Sequence, residues 1–219
     1  MDVCPAQHRR IPRAIRACFV CIGGTMKTLA LLGTVTGIAL LAGIRLYATV
    51  LTVGLCLRYG LLHLPKELAS LSVLAHPFVL GAASVCAVME FFADKVPWVD
   101  SLWDAVHAFL RPAGAALIAF AAVGRLDPAT EIAVILLCGG VAFSSHSAKA
   151  GARLFVNQSP EPFSNLLLSL CEDFVAVGGS YAAVAHPLAI LVVVAAFLVL
   201  FALLARRIYR RLRRDPVPP

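Results

Sequence analysis

The sequence predicts an all-α, polytopic membrane protein: one bundle of about six transmembrane helices over 26–206. Three observations carry that prediction. Of its 219 residues 60% are hydrophobic and only 14% charged, against roughly a quarter charged in soluble domains, and the mean hydropathy is +0.87. The apolar residues form long runs such as 188–204 and 113–123, several of which approach the roughly 20 residues a membrane-spanning helix needs. The net charge of +7 also sits at the ends: eleven of the 19 basic residues lie before 28 or after 205, leaving eight basic against ten acidic residues between.

Taken in order, 1–25 is a basic extension carrying Arg9, Arg10, Arg13 and Arg16. Met26-Lys27 then opens an apolar run, so a start at Met26 is one reading of this end. A signal peptide is the rival, opposed by the run's continuation for about thirty residues and the lack of a small-residue cleavage site. Apolar runs and their breakers place spans at 28–58, 69–93, 101–123, 129–150, 163–184 and 187–206, followed by a basic tail, 207–219. The first is too long for one straight crossing, about 45 Å against a hydrocarbon core near 30 Å. It tilts, breaks or divides in two, and Gly33, Gly37, Gly43 and Gly54 offer places to bend.

Lys/Arg clusters beside a membrane span favour the cytoplasmic side and anionic lipid headgroups. The expected partners are therefore the bilayer and those headgroups, not nucleic acid, and a homo-oligomer is left open. Both termini on the cytoplasmic face of a bacterial inner membrane require an even number of crossings. Six meets that; dividing 28–58 would give seven and put one arginine-rich tail outside. Seven cysteines, four of them in apolar stretches, give no disulfide framework, and the lone Cys18-x-x-Cys21 is too little for a zinc site.

Three internal echoes appear. Ala42-Gly43-Ile44-Arg45-Leu46-Tyr47 recurs as Ala150-Gly151-Ala152-Arg153-Leu154-Phe155. Pro97 to Asp100 echoes Pro162 to Asn165, and at the same offset Phe109 matches Phe174 and Gly114 matches Gly179. Ala75-His76-Pro77 echoes Ala185-His186-Pro187. A duplication into halves of three helices would make an inverted repeat, an architecture found in many transporters; chance in an apolar alphabet is the alternative.

An ionisable group at the bilayer centre costs at least about 2.5 kcal/mol, so it faces the bundle interior and finds a partner. Asp100, Asp104, His107 and Arg111 are spaced 4, 3 and 4 apart, which puts them on one helix face. Asn165, Ser169 and Glu172 form a similar stripe with Asp173 beside it. His146, Arg153 and Asn157 share a face near Lys149, Arg45 stands among apolar residues, and Glu90 and Asp94 close the second span before Lys95. One reading is ion pairing that holds helices together, with outer members reaching the headgroups. The other is a polar cavity for an ion, proton or small substrate, with Asp94, Asp100, Asp104, Asn165, Glu172 and Asp173 as acceptors and Arg45, Lys149 and Arg153 as counter-charges. No H-E-x-x-H, glycine-rich phosphate loop or G-x-S-x-G occurs, so no catalytic residue or cofactor is expected, and a metal is left undecided.

Ala42-Gly43-x-Arg45, Glu90-Phe91-Phe92-Ala93-Asp94-Lys95-Val96-Pro97-x-x-Asp100, Arg153-x-x-x-Asn157-x-Ser159-Pro160-Glu161-Pro162-x-Ser164-Asn165 and Glu172-Asp173 together resemble the bacterial membrane family called domain of unknown function 4126. The resemblance spans about 26 to 205. It implies a small multi-spanning bacterial protein and supplies no activity, but its distinctive residues coincide with the polar stripes. The expected function is a transporter or channel-like protein for an ion or small polar substrate, the alternative a scaffold or accessory subunit.

Overall fold

The computed structural model describes residues 13–93, 97–124, 126–157 and 162–214, and all regular structure among them is helical. The elements are α1 (Arg13–Ile44), α2 (Leu46–Arg58), a 3-10 segment (Lys66–Ala75), α3 (Pro77–Ala93), α4 (Pro97–Val123), α5 (Pro128–Asn157), α6 (Pro162–Ala185) and α7 (Pro187–Arg214). Helices α3 to α7 each open on a proline, whose missing N–H and fixed φ suit a first turn. Before α5, Asp127 Oδ1 accepts the N–H groups of Ala129 and Thr130, each at 3.2 Å. Bonds from the Thr130 side chain and backbone hold that carboxyl below the usual range.

Among the described residues five helices are long and apolar enough to cross a membrane, six if the 3-10 segment and α3, bent by 63°, make one span. That bend falls at His76, which precedes a proline and is extended at φ −67°, ψ 135°, as a residue before proline tends to be. His186, before Pro187, likewise separates α6 from α7, so the His-Pro echo marks two helix breaks. The bundle buries charged side chains within an apolar core and turns large apolar ones outward: Arg111 is 0% and Arg45 1% exposed, while Phe109 is 81% and Phe174 78% exposed. An exterior this apolar suits hydrocarbon around the molecule.

The run expected over 28–58 is two helices, broken at one residue, Arg45, which is non-helical at φ −145°, ψ 89°. Helical bonds resume on either side, from Arg45 N to Leu41 O at 2.8 Å and from Thr49 N to Arg45 O at 3.0 Å. The direction of α2 follows from its contacts. Arg58 Nη1 donates to Ala75 O at 3.3 Å, and Glu67 lies 3.9 Å from Lys27. Were α2 to continue the line of α1, Ala75 would lie about 45 Å from the level of Lys27. The 3-10 segment between Glu67 and Ala75 reaches only about 20 Å. So α2 turns back toward the end where α1 began.

Helices α1 and α5 lie side by side and point the same way. Leu32 shares a groove with Val134 and Leu137, Gly43 packs on Ala142 and Ser145, and Lys149 Nζ donates to Ile44 O at 3.2 Å. Only glycine fits at 43, because a Cβ there would run into Ser145 Oγ and the Ala142 backbone. Helix α6 runs the other way, with Ala183 near Gly37, Leu41 at Gly179 and Ser169 on Arg45. Helix α4 precedes α5 in a tight hairpin and so runs with α6. The echoes thus relate helices of like direction, α1 to α5 and α4 to α6, whereas an inverted repeat relates opposed ones.

Helix α7 begins beside Gly33, and its packed seam of Ile190, Val194, Phe197 and Leu198 lies against the core. Residues 24–29 of α1 are exposed while 33–43 are buried, so the seam follows α1 toward Arg45. The start of α1 and the arginine-bearing end of α7 therefore lie at opposite ends of the bundle. Five to six helices are long and apolar enough to span, as expected, and the returning α2 is the reversal that sets the two basic ends apart along the bundle, its turn lying where Arg45 meets Glu172 and Asp173.

Candidate functional site

The break in the first run projects Arg45 into a cluster of charges between α5 and α6. Arg153 grips Glu172 with two nitrogens, Nη2 to Oε2 at 2.8 Å and Nε to Oε1 at 3.2 Å. Lys149 Nζ lies 3.3 Å and Arg45 Nη2 3.5 Å from the same Oε2. Arg45 also pairs through Nε with Asp173 Oδ1 at 3.2 Å and donates from Nη2 to Ser169 Oγ at 2.9 Å. Glu172 is about 20 Å from the Ala185 end of α6 and about 15 Å from its Pro162 end, at 1.5 Å per residue. Against the apolar spans, which end at Ile44 and Leu154 and begin at Leu166 on this side, the cluster lies toward one end of the bundle.

A second cluster surrounds Arg111 on α4. Its Nη2 donates to Glu90 Oε1 at 2.7 Å, and its Nη1 reaches Asp104 Oδ1 at 3.2 Å and His146 Nδ1 at 2.7 Å. His107, one turn before, has Nδ1 2.8 Å from Trp103 O and Nε2 3.1 Å from the Tyr47 hydroxyl, and its ring stacks on Trp103 at 4.5 Å. Glu90 Oε2 and Arg111 Nε are buried and have no hydrogen-bond partner among the described residues. Helix α5 joins the clusters, His146 serving one and Lys149, a turn later, the other.

Among the described side chains, Arg45, Lys149 and Arg153 meet Glu172 and Asp173 in one cluster, and Arg111 meets Glu90 and Asp104 in the other. Such charges persist away from water only where partners surround them. The N-terminus of α2 opens at the Glu172 cluster, with no side-chain cap among the described residues. Its first N–H groups and helix dipole add positive potential there.

The structure thus unites Arg45, Lys149, Arg153, Glu172 and Asp173, and separately Glu90, Asp104, His107, Arg111 and His146. Asp94 and Lys95 lie outside the described residues. Asp100, Asn157 and Asn165 fall on α4, α5 and α6, with side chains outside the described set. The stripe from Asp104 through His107 to Arg111 meets α2, α3 and α5, not its echo on α6. Tyr47 and Trp103 were missed because an aromatic in an apolar run reads as packing. The signal for Tyr47 was its place two residues after Arg45 in the echoed motif.

Two matched positions have matched surroundings. A side chain at Gly114 would run into Leu46 and one at Gly179 into Leu41, while Phe109 and Phe174 both face outward. Helices α4 and α6 thus flank the broken run alike, presenting His107 to Tyr47 and Glu172 to Arg45. Among the described residues no three His, Cys, Asp or Glu side chains converge as a metal site would require.

The family model for a domain of unknown function, DUF4126, matches residues 32–207. No curated protein and no solved structure matches the chain.

Proposed function

The chain belongs to the DUF4126 family, and on that premise we propose that it is a small transporter or channel-like protein for an ion or small polar substrate. It works in a bacterial inner membrane, with the arginine-bearing end of α7 at the cytoplasmic face, where Lys/Arg clusters are retained. The observation that supports this reading is the break at Arg45. Discontinuous membrane helices are a recurring way to hold a solute at mid-depth, because the freed helix end and unwound backbone offer polar groups inside the bilayer. Here the break coincides with the charge cluster, and α5 carries polar groups onward to the Arg111 cluster.

A scaffold or accessory role is the second reading, favoured by the pairing of Arg45, Lys149, Arg153 and Arg111 with carboxylates. Reconstitution into liposomes separates the two. Flux of protons, metal ions or small anions that falls in Arg45→Gln and Arg153→Gln variants of retained fold supports transport. Variants that lose thermal stability and expression together, with no flux from the wild type, support the scaffold.

A further inference from the structure

We propose that the outward face of α7 holds a lipid whose headgroup carries two phosphates, with its chains along the apolar stretch of the helix and its phosphates among Arg206, Arg207, Arg210 and Arg211. The proposal stands whether or not the bundle transports a solute.

The two sides of α7 follow from its periodicity. Ile190, Val194, Phe197 and Leu198 pack against the core, and at about 100° per residue they gather on one side of the helix. Val192, Val199, Leu200 and Leu203, each more than half exposed, gather on the other. Arg206, Arg207, Arg210, Arg211 and Arg213 continue that second side, and all of them are exposed. Arginines serving the bundle would lie in line with the packed seam and reach inward for carboxylates, as Arg45 and Arg111 do. No salt bridge among the described residues takes any of those on α7.

Helix α7 is also the span that lipid reaches most freely. Only 6% of its apolar stretch is buried, against at least 22% in each of the other spanning helices. Depth agrees with this. From Pro187 to Leu204 the helix rises about 27 Å, against a hydrocarbon core near 30 Å, so Arg206 and the residues after it fall at the level of the lipid phosphates.

The arginines there form a cleft. Leu203, Arg206, Arg207, Arg210 and Arg211 line a cavity of about 400 Å³, with the leucine at its membrane end. Arg206 with Arg210, and Arg207 with Arg211, are pairs one turn apart, and so neighbours on the helix surface. Each pair offers two guanidinium forks to one phosphate. The pairs stand side by side, so two phosphates joined by a short bridge meet both at once. A headgroup with one phosphate would neutralise one pair and leave the other as like charges one turn apart, which is unfavourable. A lipid fits better than a soluble polyanion, because Leu203 and the exposed stripe behind it continue the cleft into hydrocarbon.

The full chain reconstituted in zwitterionic bilayers tests this. One set carries cardiolipin, which joins two phosphates through a glycerol. The other carries twice as many molecules of phosphatidylglycerol, so that the surface charge is the same. Lipids that stay on the protein after extraction are counted by native mass spectrometry. Cardiolipin is expected to remain, one per chain, with a preference of about tenfold or more over phosphatidylglycerol from the second arginine pair. Arg206→Gln combined with Arg210→Gln is expected to abolish the preference, and Arg213→Gln, outside the cleft, to leave it. Should the double variant fail to fold, the wild-type comparison still decides. Equal retention at equal charge would mean diffuse attraction to a basic tail and overturns the proposal, as does retention of neither lipid. Displacement of cardiolipin by equimolar pyrophosphate, or nucleic acid co-purifying in its place, makes a soluble polyanion the occupant and also overturns it.

Discussion

Arg153 and Glu172 form a two-pronged, buried ion pair across the α5–α6 interface, with nitrogen to oxygen distances of 2.8 and 3.2 Å. The pair is also where two residues nineteen positions apart in the sequence close the cluster that Arg45 enters from α1. Breaking one side of a buried pair leaves the other charge uncompensated, so Arg153→Gln is expected to destabilise the folded protein by about 3–5 kcal/mol. Thermal unfolding in detergent checks this. Arg153→Lys, which keeps the charge but not the fork, falls between wild type and Gln.

The glycines of the echoed motif should respond differently. At Gly43 a Cβ meets Ser145 Oγ and the Ala142 backbone, whereas nothing lies within 4 Å of one at Gly151. Gly43→Ala is expected to push α1 from α5 and cost about 1–3 kcal/mol. Gly151→Ala is neutral or stabilising by up to about 1 kcal/mol through helix propensity. Melting temperatures of the two variants measured side by side decide. Equal losses would mean that the two copies are packed alike, which the structure denies.

The Tyr47 hydroxyl lies 3.1 Å from His107 Nε2, and their rings meet edge to face at 5.6 Å. Tyr47→Phe keeps the ring contact and removes the bond. The expected loss is about 0.5–1.5 kcal/mol, that of one neutral hydrogen bond, with the larger aromatic contribution intact. A loss as large as that of Tyr47→Ala would show that the hydroxyl contributes nearly the whole contact.

Much of the fold was legible because the bilayer simplifies it: apolar length alone located the helices, and proline marked where most begin. The polar stripes were legible for the same reason, since a charge within an apolar run has nowhere to go but inward. Which stripe meets which was not. Arg111 could have paired with Glu172 on the echoed helix, and instead takes Glu90 from α3. A long side chain reaches any of several neighbouring helices, and a periodicity records only the face it leaves from. The break at Arg45 was hidden likewise. Both flanking segments are good apolar helices, and what interrupts them is the attraction of Ser169, Glu172 and Asp173, more than 120 residues away in sequence.

That break decides the topology, which leads to the prediction most exposed to refutation. Because α2 returns toward the start of α1, and α7 runs parallel to α1, the residues near Lys27 and those beyond Arg206 are expected on opposite faces of the membrane. A reporter active only in the cytoplasm, fused after α7, is expected to function, and the same reporter placed before α1 is expected to be silent. A periplasmic reporter should give the reverse. Arg45→Leu supplies the internal control, since without the pull of the α6 carboxylates the two apolar segments can join into one long helix. If the variant folds that way, α2 no longer turns back and the face of the α1 fusion changes. Both ends reporting from the cytoplasm in the wild type would favour the six-crossing arrangement and require α2 to lie within a single span with α1.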